Sequence, residues 1–252
     1  MYLTFIIGTA GSGKSLLAAS FSDWLKSKEQ EVIVVNLDPG TLTLPYTPDV
    51  DVRDYISVNG LMERYKLGPN GALIMAADLI AEEAQTIREE IEAFRSDYVL
   101  VDTPGQMELF AFRASGPYIA HELTADPKAV VYLFDASFSS DPLNYVSNMF
   151  LAAAVYNRFL LPQVYILSKV DLLPPGEVDR VLDWGSRVGA LEDAMERRLS
   201  EIRRLMSIGM MRVISELGLD FTLTPVSSKN MLGFIDLHAT LTRIFTGGEE
   251  PE

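Results

Sequence analysis

Residues Gly8-Thr9-Ala10-Gly11-Ser12-Gly13-Lys14-Ser15 satisfy the spacing G-x-x-x-x-G-K-S. They stand directly after an apolar run, Leu3–Ile7, and directly before a helical pattern. This octapeptide constrains the chain more than any other feature. Between a strand and a helix, its glycines let successive backbone N–H groups turn toward one centre, where they can cradle a β-phosphate. Lys14 then reaches the β and γ oxygens of a nucleoside triphosphate, and Ser15 offers its hydroxyl to Mg²⁺. A merely flexible Gly/Ser loop is the bland alternative, and the strand–loop–helix context argues against it.

The rest of the chain reads as a matching frame. Apolar runs bounded by polar or turn residues recur at 3–7, 32–36, 98–101, 129–134, 164–167 and 221–223, with helical patterns between most of them. Such alternation predicts a three-layer α/β fold, the P-loop nucleotide hydrolase type, with a mostly parallel sheet and helices on both faces. From Ala72 to Phe94, Leu73, Ala77, Ile80, Ala84, Ile87, Ile91 and Phe94 step by three and four, which predicts one long amphipathic helix. The Arg- and Glu-rich stretch 175–216 is read as a helical insertion within a single domain spanning 1–246, and 247–252 as a flexible tail. Met195, Met206, Met210 and Met211 in that insertion recur among Leu and Ile. They suit packed core or dimer contact, or a soft groove for a client peptide.

Composition removes several functions. The 252 residues carry 21 Lys and Arg against 35 Asp and Glu, a net charge of −14. A chain so acidic offers no broad basic surface to nucleic acid or anionic lipid, so neither is expected as a direct partner. No cysteine is present, and His121 and His238 stand apart, which argues against a dedicated transition-metal site. The chain opens into an apolar strand without a basic leader, and no apolar run approaches the ~18 residues of a membrane span. A cytoplasmic location is the expectation.

Further motifs fall at strand ends. Asp102-Thr-Pro-Gly105-Gln106 follows the run 98–101. An Asp there can hold Mg²⁺ through water, the Gly105 N–H can meet a γ-phosphate and turn away after hydrolysis, and Gln106 can orient attacking water. Ser168-Lys169-Val-Asp171 follows the run 164–167. A carboxylate at Asp171 can accept from both N1–H and N2–H₂ of guanine, and the Lys169 stem can cover the base, which favours GTP and GDP over ATP. Ser227-Ser228-Lys229 after the last strand resembles the Ser-Ala-Lys loop whose backbone donates to guanine O6. Asn36-Leu-Asp38-Pro39 admits two readings: Asp38 as an Asx-turn residue, or as a carboxylate reaching the Mg²⁺ water shell or the attacking water. Lys66-Leu-Gly68-Pro69-Asn70-Gly-Ala-Leu73 reads as a turn, and on these residues alone the preferred reading is a loop that only starts the following helix, with Asn70 near its N-cap.

Taken in order, Gly8–Ser15, Asp38, Gly68-Pro69-Asn70, Asp102–Gln106, Ser168–Asp171 and Ser227–Lys229 resemble the motifs of the GPN-loop GTPases. That is a branch of the P-loop class that includes signal-recognition, MinD-like and metallochaperone nucleotidases. The resemblance covers nearly the whole chain. It implies a Mg²⁺-dependent GTP hydrolase acting as a homodimeric switch, each subunit presenting its Gly-Pro-Asn loop to the other's nucleotide. It also implies a role in assembling large complexes such as RNA polymerase. A neutral amide at Asn70 then stands where other GTPases use an arginine finger, and slow intrinsic turnover is expected. Two departures stand out. Ser168 replaces the Asn usual in Asn-Lys-x-Asp, and Ala10 stands where many MinD-like relatives carry a second P-loop lysine. Competing readings are a P-loop kinase, though no Arg-rich lid is visible, and a scaffold or metallochaperone-like module with vestigial turnover.

Overall fold

Seven strands form one sheet, all paired in parallel, in the order β3-β2-β4-β1-β5-β6-β7. They are β1 (Tyr2–Gly8), β2 (Val32–Asn36), β3 (Val50–Asp51), β4 (Tyr98–Asp102), β5 (Lys128–Asp135), β6 (Gln163–Ser168) and β7 (Leu223–Val226). The computed structural model describes residues 1–124, 127–187, 189–196, 209, 213, 216 and 221–247.

The helices are α1 (Lys14–Lys26), α2 (Val58–Tyr65), α3 (Pro69–Glu82), α4 (Ala84–Ala93), α5 (Met107–Phe110), α6 (Ser115–Glu122), α7 (Ala136–Ser139), α8 (Pro142–Phe159), α9 (Pro175–Ser186), α10 (Ala190–Glu196) and α11 (Phe234–Phe245). They divide between the two faces of the sheet. Leu3, Phe5, Ile7, Val99 and Val101 pack under α3 to α10, whereas Ile6, Tyr98, Leu100 and Val131 pack under α1 and α11. Because both faces are covered, strands such as β2 and β4 are buried at every residue and read in sequence as unbroken apolar runs. No helix among the described residues is long and apolar enough to cross a membrane.

Several expected boundaries change. The stretch 72–94 is not one helix. It begins three residues earlier, at Pro69, and is divided at Glu83 into α3 and α4. Periodicity alone did not reveal the break, because Ala77, Ile80, Ala84 and Ile87 stay buried across it. The last strand lies at 223–226 rather than 221–223, and Phe221 is buried core just before it. Strand β3 was not anticipated: two residues cannot show a period, and pairing with Val35 and Asn36 defines them. Of the expected insertion, α9 and α10 are seen, with Met195 fully buried; Met206, Met210 and Met211 and the tail beyond 247 lie outside the described residues.

Position in the sheet explains where a ligand can sit. From β4, on one side of β1, the chain crosses to β5 on the other, so the strand order reverses around β1. In open parallel sheets a crevice opens at such a reversal, beyond the carboxyl ends of the strands. The register brings Asn36 beside Asp102 and Asp135 beside Ser168 at that edge.

Candidate active site

The loop from Gly8 to Gly13 leaves β1 at this edge and enters α1 with an uncapped start. Gly11 and Gly13 have φ of 76° and 98°, which only glycine adopts without strain, and no side chain caps the α1 N-terminus. The free N–H groups of the first turn therefore point to the crevice as an anion site. Ser12 Oγ is buried there without a hydrogen-bond partner.

Lys14 is folded into this cradle and is 5% exposed. Its ammonium donates to Gly8 O at 2.9 Å, Thr9 O at 3.0 Å and Gly105 O at 3.3 Å. Burial holds its pKa below the usual lysine value, while Asp102, Asp38 and Glu108 oppose the shift. The third contact matters most, since it ties the phosphate loop to the Asp-Thr-Pro-Gly segment more than ninety residues away.

Asp102, at the end of β4, is 1% exposed. Its Oδ2 accepts from the Tyr46 hydroxyl at 2.8 Å, and its Oδ1 has no hydrogen-bond partner. Burial pushes the carboxyl up to about 6; the Ser15 and Tyr46 hydroxyls and the Lys14 charge restrain that rise. The Ser15 hydroxyl is close enough to act on the carboxylate without closing a well-formed hydrogen bond. An orphaned buried carboxylate oxygen beside a serine hydroxyl is a donor set suited to a hydrated Mg²⁺ ion. Thr103 is structural, since its hydroxyl donates to Ile6 O at 2.7 Å and locks the β4 end to β1.

Asp38 is both an Asx-turn residue and a bridge, so the two sequence readings are not exclusive. Its Oδ1 accepts from Gly40 N at 2.9 Å, and its Oδ2 accepts from Gly105 N at 2.8 Å. The amide expected to await a γ-phosphate is therefore already held by a carboxylate. Behind Asp38, buried Asn36 accepts from Asp38 N at 3.0 Å and donates to Asp51 Oδ1 at 2.9 Å. Asp51 in turn receives the Arg53 guanidinium, with the closest contact at 2.6 Å, and its pKa is lowered because these donors outweigh burial. Gln106 is exposed at the start of α5.

The base side is built from β6 and β7. Lys169, at φ 60°, donates to Gly11 O and to Asp135 Oδ2, the latter at 2.6 Å, and its stem passes over Gly13. Ser168 Oγ lies 2.9 Å from Ser12 O and 3.2 Å from Phe134 O, so a hydroxyl makes the tie to the phosphate loop at the position where an Asn amide was missed. Asp171 Oδ1 accepts from Ser227 Oγ at 2.6 Å. A hollow between these parts is lined by Ser12, Gly13, Lys169, Asp171, Ser228 and Lys229.

A second hollow lies at the other end of the loop, lined by Ala10, Asp38, Gly105, Gln106, Leu73 and Ala77 among others. Gly68-Pro69-Asn70 is not a free turn. Gly68 is the N-cap of α3, Pro69 is its first helical residue, and neither Gly68 nor Gly71 has positive φ. Asn70 is exposed in the first turn of α3 and is not among the residues that line this hollow.

Three participants escaped the sequence reading: Tyr46, which holds Asp102; Asp135, which holds Lys169; and the Asn36–Asp51–Arg53 brace behind Asp38. Only Asp135 left a signal, as a carboxylate ending an apolar strand beside Ser168.

A parallel sheet reversing at β1, with an uncapped glycine loop and a buried lysine at the reversal, defines a P-loop nucleotide-binding protein. A family profile described as "Conserved hypothetical ATP binding protein" matches residues 6–247. GPN-loop GTPase PAB0955 of Pyrococcus abyssi is 33% identical over 237 residues, which cover 93% of this chain and 94% of that protein. The apo crystal structure of PAB0955 aligns with a TM-score of 0.86, at 32% identity over 97% of each chain. GPN-loop GTPase 1 of Dictyostelium discoideum is 32% identical over 193 residues, 75% of this chain and 48% of that one. GPN-loop GTPase QQT2 of Arabidopsis thaliana is 36% identical over 170 residues, 66% of this chain and 45% of that one. The chain thus spans slightly less than half the length of these last two relatives. It belongs to the GPN-loop GTPase family.

Proposed function

We propose that this chain binds GTP with Mg²⁺, hydrolyses the β–γ phosphoanhydride, and works as a homodimer whose geometry follows the γ-phosphate. The observation that carries this reading is the Gly105 peptide. Its carbonyl accepts from Lys14 and its N–H donates to Asp38, so one residue is held by the phosphate loop on one side and by the loop after β2 on the other. A γ-phosphate entering beside Lys14 competes with the Asp38 carboxylate for that N–H, and loss of the phosphate returns it.

In this reading the amides of Gly11 to Ser15 and the Lys14 ammonium neutralise the phosphate oxygens. Ser15, with Asp102 behind a water, holds Mg²⁺, which supplies charge neutralisation to the β and γ oxygens when bound. Asp38, once released from Gly105, or the exposed Gln106 positions the attacking water. Guanine is favoured over the adenine of the family description because Asp171, fixed by Ser227, offers acceptors that adenine has no donors to match. The exposure of Asn70 at the N-terminal turn of α3 supports a role on a second subunit, where its amide would meet the γ-phosphate or the water. Assembly of a larger protein complex is the process such a switch would serve, in the cytoplasm.

The test compares affinities for GTP, GDP and ATP, steady-state hydrolysis and oligomer mass on the same preparation. Preference for guanine nucleotides, Mg²⁺-dependent release of phosphate and a dimer in the GTP state are expected. Equal affinity for ATP overturns the base assignment, and a monomer that hydrolyses GTP at full speed overturns the trans role of Asn70.

A further inference from the structure

We infer that Tyr46 is a positioning residue for the cation, fixing the Asp102 carboxylate so that its second oxygen stays available to the hydration shell of Mg²⁺. The inference rests on the nucleotide and Mg²⁺ reading above and adds to it a residue that no motif marks.

Three observations converge on Tyr46. The first is chemical: one Asp102 oxygen receives the phenol at 2.8 Å, and the other is buried with no partner. A buried acceptor left open is costly to the fold and points to a missing ligand. With Oδ2 held, the carboxylate cannot turn to satisfy Oδ1 elsewhere, so Oδ1 stays open to the hydration shell of a cation. The second is mechanical. The Tyr46 ring packs against the core under α1 and α11, so its hydroxyl is placed by packing. Prolines at 45 and 48 fix φ close to it on either side.

The third observation is topological. The segment 37–49 leaves β2 and returns to it, since Asp49 N donates to Val34 O at 2.9 Å and the Asp49 carboxylate accepts from Val34 N at 2.8 Å. Both ends are therefore anchored to one strand. Besides the backbone bond from Leu37 N to Asp102 O at 2.9 Å, the segment makes two bonds through its side chains to the β4 end: Asp38 to Gly105 and Tyr46 to Asp102. The first bond engages an amide that a γ-phosphate would claim. The second engages the carboxylate that faces the cation whichever nucleotide is bound, so Tyr46 should matter for GDP as much as for GTP.

The test is equilibrium binding of a fluorescent GDP to the full chain, wild type and Tyr46→Phe, in EDTA and across a MgCl₂ titration. Phenylalanine keeps the ring packing and removes only the hydroxyl; unchanged thermal melting in EDTA checks that the fold is kept. The expected result is similar affinity in EDTA, with the Mg²⁺ concentration for half-maximal tightening raised about three- to tenfold, the scale of one hydrogen bond's net contribution. An unchanged Mg²⁺ midpoint, or an equal loss of affinity in EDTA and in Mg²⁺, overturns the inference by leaving Tyr46 a packing role only. Failure of the wild type to bind the probe at all overturns the nucleotide reading itself, a distinct outcome.

Discussion

Replacing Asp102 with asparagine should make the nucleotide-free protein more stable at neutral pH while abolishing Mg²⁺-dependent turnover. The carboxyl is pushed from 3.8 to about 6, chiefly by burial. A carboxyl whose pKa is raised on folding binds its proton more tightly in the native state. Its ionisation therefore weakens the fold progressively from about pH 4 to pH 6, and the loss is complete above that. At ~1.4 kcal/mol per unit, a rise of about two units costs on the order of 3 kcal/mol at pH 7, an upper bound. Asparagine stays neutral throughout and keeps an acceptor for Tyr46, but its amide nitrogen brings donors to the place of the unpartnered oxygen, an offset of about 1–3 kcal/mol that does not vary with pH. The pH dependence is thus the cleaner quantity. Urea unfolding followed by the fluorescence of Trp24 and Trp184, in EDTA from pH 4.5 to 8, should show the variant gaining on the wild type by at most about 2 kcal/mol across that range. Adding GDP and Mg²⁺ should then stabilise the wild type more than the variant. A difference between the two proteins that is flat with pH would refute the reasoning, because the native carboxyl would then be unperturbed.

Asn70→Ala should slow GTP hydrolysis by on the order of 10²–10³, the scale of one lost oxyanion-type donor. In mixed dimers of an Asn70→Ala subunit with a Lys14→Ala partner, action in trans leaves one complete site, so hydrolysis should recover well above that of either pure variant; no recovery would reject action in trans. Asp171→Ala removes acceptors worth about 1.5–3 kcal/mol each, so calorimetry should show GDP affinity falling by roughly 10²–10⁴ with ATP affinity little changed. Asp38→Ala removes a carboxylate that can position the attacking water and leaves the Gly105 N–H free for a γ-phosphate, so turnover should fall in a phosphate-release assay without loss of GTP affinity, while the nucleotide-free fold loses only on the order of 1 kcal/mol in urea, as the bond is partly exposed.

Much of the site was legible because its parts are local in sequence. A phosphate cradle needs consecutive amides with glycine at fixed offsets, and Gly8 to Ser15 supply them without help from elsewhere in the chain. Strands buried on both faces announce themselves as apolar runs, so β1, β2, β4, β5 and β6 could be placed, with Asp102 and Ser168 at the ends of β4 and β6. What failed was whatever depends on a second segment. The helix break at Glu83 is invisible because the apolar stripe continues through it, whereas the helix start at Gly68-Pro69-Asn70 was one of the readings open in sequence, since Pro is as well suited to the first helical position as to a turn.

The sequence by itself determined that the chain must present a nucleotide cradle at the end of a parallel sheet, because glycine torsions and strand hydrophobicity are properties of contiguous residues. Only the tertiary structure decided that Tyr46 holds Asp102 and that Asp38 holds Gly105. Those pairings join residues tens of positions apart through directional hydrogen bonds, and their geometry exists only once the strand order has placed β2 and β4 side by side.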